Sequence, residues 1–351
     1  MVTAKEISEQ IREQEETGFF KSLRKRKGEK KELTYERCVQ AAPLFVKDAI
    51  KRTGEFKILE RYPRIIFAGT GIDGLACRIL RDYLAGYGHR IGLERGFSLP
   101  EDVNNETLVF ICSYSGGDKE ALSCYRMALR KGCRIIGISA AEGMIDQFSR
   151  NSTEHIPLPS PQKIPVGFWY IFFVILRIFE NSRMIPDLKS QVEESIQALG
   201  KKEVSGMAEG LYPKLQDKIP IVHSTKSLAP VAEYWKHIIC SLACSPCFYS
   251  VLSFAATELD LFSKDAWDLY SVFISEPEED PQIRKSMAMA KEVIGNQGYG
   301  TTEIMIKGAN RLTRLCSAVQ IANQEALLLR SYYSTEPALY SKYKTKQKET
   351  I

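Results

Sequence analysis

Residues 108–117 read Leu108-Val-Phe-Ile-Cys-Ser-Tyr-Ser-Gly-Gly117. The apolar run Leu108 to Cys112 has the character of a parallel strand buried on both faces. It empties into Ser113, Tyr114, Ser115, Gly116 and Gly117. An amphipathic helix is predicted next, with Ala121, Leu122, Tyr125, Ala128 and Leu129 on one face. A strand that ends in hydroxyls and glycines before a helix offers free backbone N–H groups, side-chain donors and the positive end of a helix dipole. Together these suit an anion, most often a phosphate. Many such turns bind nothing, so a second one upstream matters: Gly69-Thr-Gly-Ile-Asp-Gly74 follows the strand-like Arg64 to Ala68.

Working outward, short apolar runs alternate with helical patterns. Strands are predicted over 64–68, 90–93, 108–112, 133–139 and 155–158, and helices over 41–52, 74–85, 117–130 and 166–180. A connecting helix over 186–199 leads to a looser second half. There the strands are 219–223, 269–274 and 302–306, and the helices 227–240, 281–294 and 309–332. The alternation implies βαβ units and an α/β fold of two similar halves, each a parallel sheet flanked by helices. A ligand is expected in the cleft between the halves, beside strand C-termini. The expected organisation is a charged helical arm over 1–40, a first domain over 41–182, a second over 183–335 and a basic tail over 336–351.

The chain of 351 residues is 44% hydrophobic and 26% charged, a globular composition rather than a disordered or fibrous one. Its net charge of +5 is uneven, because Lys21 to Lys31 carries seven basic residues and one acid. Such a run is more often a solvated arm than a nucleic-acid contact, so nucleic acid is not an expected partner. The most apolar stretch, 166–179, is 14 residues long, includes Arg177 and is too short for a bilayer. No signal-peptide apolar region is evident, and a cytoplasmic location is expected. Nine cysteines, an odd number, argue for thiols or a metal site over a disulfide framework.

Beyond these physical readings, several motifs occur in a telling order. Gly69 to Gly74 is followed by Phe97-Ser-Leu-Pro100, Glu106-Thr-Leu-Val109 and Ser113-Tyr-Ser-Gly116, then by Tyr234-Trp-Lys236 and Pro246-Cys-Phe-Tyr249. In these the chain resembles the two-domain sugar isomerase (SIS) proteins, in particular the bifunctional phosphoglucose/phosphomannose isomerases of archaea and bacteria. The resemblance spans about residues 41–335 and is stronger in the first half. It implies two SIS domains, a homodimer, no metal or other cofactor, and interconversion of fructose 6-phosphate with glucose or mannose 6-phosphate.

Carried over residue by residue, the resemblance implies a substrate site at Gly69, Gly71, Asp73, Ser113, Ser115, Gly116 and Asp118. Asp73 stands where the family has a phosphate-binding Ser, and Gly117-Asp118 where it has Asn-Thr. Two carboxylates facing a dianion would repel it, unless Asp73 turns away as a helix N-cap. Asp118 equally suits the first turn of its helix. The family's catalytic Glu falls at Ser241 and its ring-opening His at Thr257; neither residue can carry those protons unaided. Lys163 stands for the family's enediolate-stabilising Arg, keeping the charge but not the bidentate fork. Glu258 and His237 are the neighbours able to replace the lost acid and base, though His237 also suits an ordinary helix end. Cys240, Cys244 and Cys247, near His237, have metal-like spacing, yet buried structural cysteines are the commoner outcome. Two functions are thus expected: a sugar-phosphate isomerase with a rebuilt site, or a catalytically silent SIS protein that binds a small carbohydrate derivative.

Overall fold

The computed structural model describes residues 33–159, 165–252 and 268–333. Within them, β1 (Arg64–Ala68), β2 (Ile91–Glu94), β3 (Thr107–Ser113), β4 (Arg134–Ser139) and β5 (Glu154–Pro157) form a parallel sheet in the order β2-β1-β3-β4-β5. The second parallel sheet joins β6 (Ile219–Ser224), β7 (Phe248–Val251), β8 (Leu269–Ser275) and β9 (Gly300–Met305) in the order β7-β6-β8-β9. All seven residues of β3 are buried, which is why Leu108 to Cys112 shows no polar alternation.

Helices α1 (Tyr35–Gln40), α2 (Ala42–Thr53), α3 (Gly71–Ala85), α4 (Lys119–Arg130), α5 (Glu142–Arg150) and α6 (Val166–Asn181) belong to the first half. Helices α7 (Lys189–Leu199), α8 (Lys202–Leu215), α9 (Ala229–Ile238), α10 (Pro281–Asn296) and α11 (Arg311–Tyr333) follow. α6 is apolar on nearly every side because it packs against both α2 and α3 under the first sheet. No helix among the described residues is long and apolar enough to cross a membrane.

One core runs through both halves. α9 packs on α3, and α11 lies along α7, α8 and α9. The Trp235 indole N–H donates to the Ala318 carbonyl at 3.0 Å, and the Tyr234 hydroxyl donates to Asn323 Oδ1 at 2.7 Å. Gln320 Nε2 donates to the Val39 carbonyl at 2.8 Å and ties α11 to α1. Trp169, Trp235, Tyr170 and Tyr234 are fully buried. Burying an aromatic side chain contributes about 1.5–3 kcal/mol, so these anchors set how the halves meet.

Three elements were not anticipated. α5 has only Met144 and Phe148 buried, too weak a stripe to stand out. The Phe148 ring lies against Gly137, where a Cβ would stand 2.4 Å from it. α8 contains Gly206, Gly210 and Pro213, all of them helix breakers, but Val204, Ala208, Leu211 and Leu215 bury one face and hold it. β7 is a four-residue edge strand with Phe248 and Tyr249 exposed. The helix expected over 227–240 is three pieces: a 3-10 turn Lys226–Leu228, α9, and a π-helical turn Ile239–Ala243. That turn ends at Cys244, whose φ of 54° is left-handed, so Cys240 and Cys244 do not share a continued helix face. The helix after β3 starts at Lys119 rather than Gly117, since Gly116 takes a φ of 66°.

Candidate functional site

β1 and β3 are neighbours in the first sheet, so the turns that leave their C-terminal ends stand side by side. In the first, Gly71 has a φ of 54°, and a Cβ on Gly74 would lie 2.4 Å from the Gly69 carbonyl oxygen. Only glycine permits that approach of α3 to the strand end. In the second, Ser139 at the end of β4 donates through Oγ to the Ser113 carbonyl at 2.7 Å and accepts from the Ala141 N–H at 3.2 Å. Gly116 is pressed against α5's entry, where a Cβ would stand 2.1 Å from Ala141 Cβ.

The hydroxyls of this second turn are engaged from within the protein. Ser113 Oγ donates to Asp118 Oδ2 at 2.5 Å, and Ser115 Oγ reaches the same oxygen at 3.5 Å. Asp118 occupies the N-cap position of α4, but its carboxylate makes no cap hydrogen bond. It faces the serines instead. A carboxylate therefore stands where the resemblance places an anionic ligand's acceptors.

Asp73 behaves differently from either alternative. Thr70, not Asp73, is the N-cap of α3, and Asp73 lies buried in the first turn. Its Oδ2 accepts the Tyr114 N–H at 2.6 Å, while Oδ1 has no hydrogen-bond partner among the described residues. α6 closes over it, for a Cβ on Gly167 would stand 2.9 Å from Oδ1. Burial pushes the Asp73 carboxyl up to about 8; the nearby Asp118 adds to the rise and the Tyr114 N–H opposes it. At neutral pH Asp73 is predominantly a protonated acid, with Oδ1 the oxygen free to carry the proton. The expectation of two carboxylates repelling a dianion is corrected to one, Asp118.

α9 packs on α3, the helix that leaves the first turn. His237 is the penultimate residue of α9 and half-buried. Burial, then the charges of Arg95 and Lys236, lower the imidazole to about 4, so it is neutral at pH 7. Ser241, at the family's Glu position, sits in the π-helical turn and donates to the Ile238 carbonyl at 3.4 Å. Lys163, Thr257 and Glu258 lie outside the described residues, as do the Lys21 to Lys31 arm and the tail.

Arg95 was missed. It follows β2, whose end is tied to the first turn by the Gly69 N–H donating to the Glu94 carbonyl at 3.0 Å. A Cβ on Gly74 would stand 3.3 Å from Arg95 Nε, so the side chain lies along the glycine turn. Its Nη1 pairs with Glu233 Oε1 of α9 at 2.6 Å, and Glu233 Oε2 holds Arg78 of α3. The available signal was positional: a basic residue at a strand's C-terminal end beside a glycine turn.

The cysteines do not assemble a metal centre among the described residues. Cys240 Sγ donates to the Cys247 carbonyl at 3.7 Å, Cys247 Sγ to the Phe248 carbonyl at 3.6 Å, and Cys244 is exposed. Burial, with Cys240 adding to it, raises the Cys247 thiol well out of the reactive range.

Residues 206–339 match the profile of the bacterial phospho-glucose isomerase C-terminal SIS domain. The bifunctional phosphoglucose/phosphomannose isomerase of Caldicellulosiruptor bescii is 26% identical over 295 residues, covering 79% of this chain and 86% of that protein. The enzyme of the same name from Aquifex aeolicus is 22% identical over 293 residues, covering 80% and 88%. Among solved structures, a hypothetical protein of Thermus thermophilus superposes with a TM-score of 0.70 at 11% identity, covering 96% of this chain and 94% of that one. The chain resembles the bifunctional phosphoglucose/phosphomannose isomerases over most of its length, and its two parallel sheets flanked by helices have the SIS architecture.

Proposed function

We propose that this chain is a phosphosugar isomerase of the SIS type. On this reading it holds a sugar phosphate at the C-terminal edge of the first sheet and moves a proton between the sugar's C1 and C2. The relatives named for phosphoglucose and phosphomannose isomerisation support the reaction class. The observation that carries it is the pair of adjacent glycine turns, 69–74 and 113–118, at the C-terminal edge of the first sheet, with the Ser113 and Ser115 hydroxyls in the second. Aldose–ketose exchange needs a carbon base, a ring-opening proton donor and a cation for the enediolate. Ser241 is no carbon base, so the reading gives that role to Glu258. His237, neutral at pH 7, serves the ring oxygen, and Lys163 stabilises the enediolate. The reading also includes a homodimer, which the resemblance alone implies, and keeps the cytoplasmic location as the expectation set out above.

The test is fructose 6-phosphate in heavy water with purified protein, read by NMR. Deuterium at C2 with glucose and mannose 6-phosphate appearing supports the reading. Glu258→Gln should then abolish exchange and His237→Ala slow it at least tenfold. A second reading, a silent carbohydrate-binding protein, draws on the Ser241 to Ile238 hydrogen bond and the Asp118 grip on both serines. Binding of the sugar phosphate without any exchange would select it.

A further inference from the structure

The two guanidinium groups of Arg78 and Arg95 converge on a single carboxylate. Each Glu233 oxygen takes one of them; Glu233 and Arg78 are mostly covered, with 15% and 24% exposure, while Arg95, at 34%, opens to solvent. Two cations on one anion leave a surplus positive charge, and like charges held this close repel unless another anion joins them. Burial, and after it the neighbouring Arg78, lower the Arg95 guanidinium. Among the described residues no second carboxylate pairs with either guanidinium. Asp73, one residue from Gly74, is predominantly protonated at neutral pH, and His237 is neutral. The surplus charge borders the Gly69 to Gly74 turn, because Arg95 lies along Gly74. It also sits where the halves meet, since Glu233 belongs to α9 and Arg78 to α3.

The serine turn has the opposite balance. Ser113 and Ser115 already donate to Asp118, so an incoming phosphate would have to break those bonds and approach a carboxylate. A neutral sugar hydroxyl meets no such penalty, because a carboxylate accepts its proton in a charge-assisted hydrogen bond.

We propose that the anionic group of the ligand binds against Arg95 and Arg78 beside the Gly69–Gly74 turn. The Ser113/Ser115/Asp118 turn then receives the sugar's hydroxyls. This rests on the sugar-phosphate reading above and reverses the polarity that the family resemblance implies for the serine turn. Arg95 offers a planar fork with donors left over after the Glu233 contact, so it can hold two phosphate oxygens at once. Glu233 is a positioning residue that keeps the fork aimed at the turn.

The experiment measures binding of inorganic phosphate, glucose 6-phosphate and glucose by isothermal titration, on wild type, Arg95→Met, Arg95→Lys, Asp118→Asn and Ser113→Ala. Losing a bidentate charged contact should weaken phosphate and glucose 6-phosphate on the order of tenfold or more in Arg95→Met. Arg95→Lys should recover part of that loss. Asp118→Asn should leave inorganic phosphate within about threefold while weakening glucose, since it touches only the hydroxyl end. Circular dichroism and the melting midpoint of Arg95→Met establish that the folded protein is being compared, and Arg95→Lys keeps the Glu233 pair if that variant unfolds. The proposal is overturned if Ser113→Ala loses phosphate binding while the Arg95 variants keep it, or if Asp118→Asn tightens phosphate tenfold. Either result leaves the sugar-phosphate reading standing. If wild type binds neither phosphate nor glucose 6-phosphate, this proposal and that reading fall together. Phosphate binding lost with Arg95, in a protein giving no deuterium exchange, upholds the proposal and removes only the isomerase activity.

Discussion

Replacing Asp73 with Asn tests whether the site contains a neutral acid. The carboxyl is raised from 3.8 to about 8, chiefly by burial. An acid whose folded pKa exceeds its unfolded value stabilises the fold least at high pH. Below about 4 both states are protonated and nothing is lost; as pH rises toward 8 only the unfolded chain ionises. Each pH unit in that window costs about 1.4 kcal/mol, so Asp73 alone removes roughly 2.7 kcal/mol between pH 5 and pH 7. Asn has the same shape, still accepts the Tyr114 N–H and cannot ionise. Asp73→Asn should therefore gain on wild type by roughly 3 kcal/mol from pH 5 to pH 7, and by a further ~1 kcal/mol by pH 8. Urea unfolding of both proteins at pH 5, 6, 7 and 8 reads this directly. Titrating groups that do not interact with Asp73 cancel in the difference between the two. A difference that stays constant over that range would show that Asp73 is ionised in the fold. The serine and glycine turns would then both carry negative charge, and the polarity argued for the ligand would lose one of its supports.

Glu325, buried in α11 with no hydrogen-bond partner for either oxygen among the described residues, is pushed up to about 8 by burial. Glu325→Gln should accordingly be more stable than wild type at pH 8, by about 2 kcal/mol or more, and close to it at pH 5, as read by thermal melts at both values. Tyr234→Phe strips the buried Asn323 Oδ1 of its 2.7 Å donor. It should cost about 1–3 kcal/mol in urea unfolding at pH 7, and a loss under about 0.5 kcal/mol would contradict the role given to this contact. Gly116→Ala forces a Cβ to within 2.1 Å of Ala141 Cβ at a φ of 66°. Stability should fall by about 1–3 kcal/mol, with glucose binding weakened as the serine turn shifts, and an unchanged melting midpoint would refute the packing described there.

Much of the architecture was open to reading in the chain itself. An uninterrupted apolar run such as Leu108 to Cys112 has only one economical use, a strand covered on both faces, and the glycine–serine text after it marks the strand's C-terminal edge. Elements supported by a thin stripe or an edge position, such as α5 and β7, stayed hidden because their stability comes from neighbours rather than local pattern. Within the candidate site, the turns around Gly69 to Gly74 and Ser113 to Asp118 were legible as places but not as charges. Asp73 is neutral at pH 7 because α6 and β3 bury it, and its sequence neighbours carry no sign of that. Glu233 is far from Arg78 and Arg95 in the chain and meets them in the fold, where α9 packs on α3. Local patterning, set by helix and strand periodicity, was decided by the sequence alone. The protonation states and the sign of the site were decided by tertiary burial, since desolvation and Coulomb terms depend on distances in space.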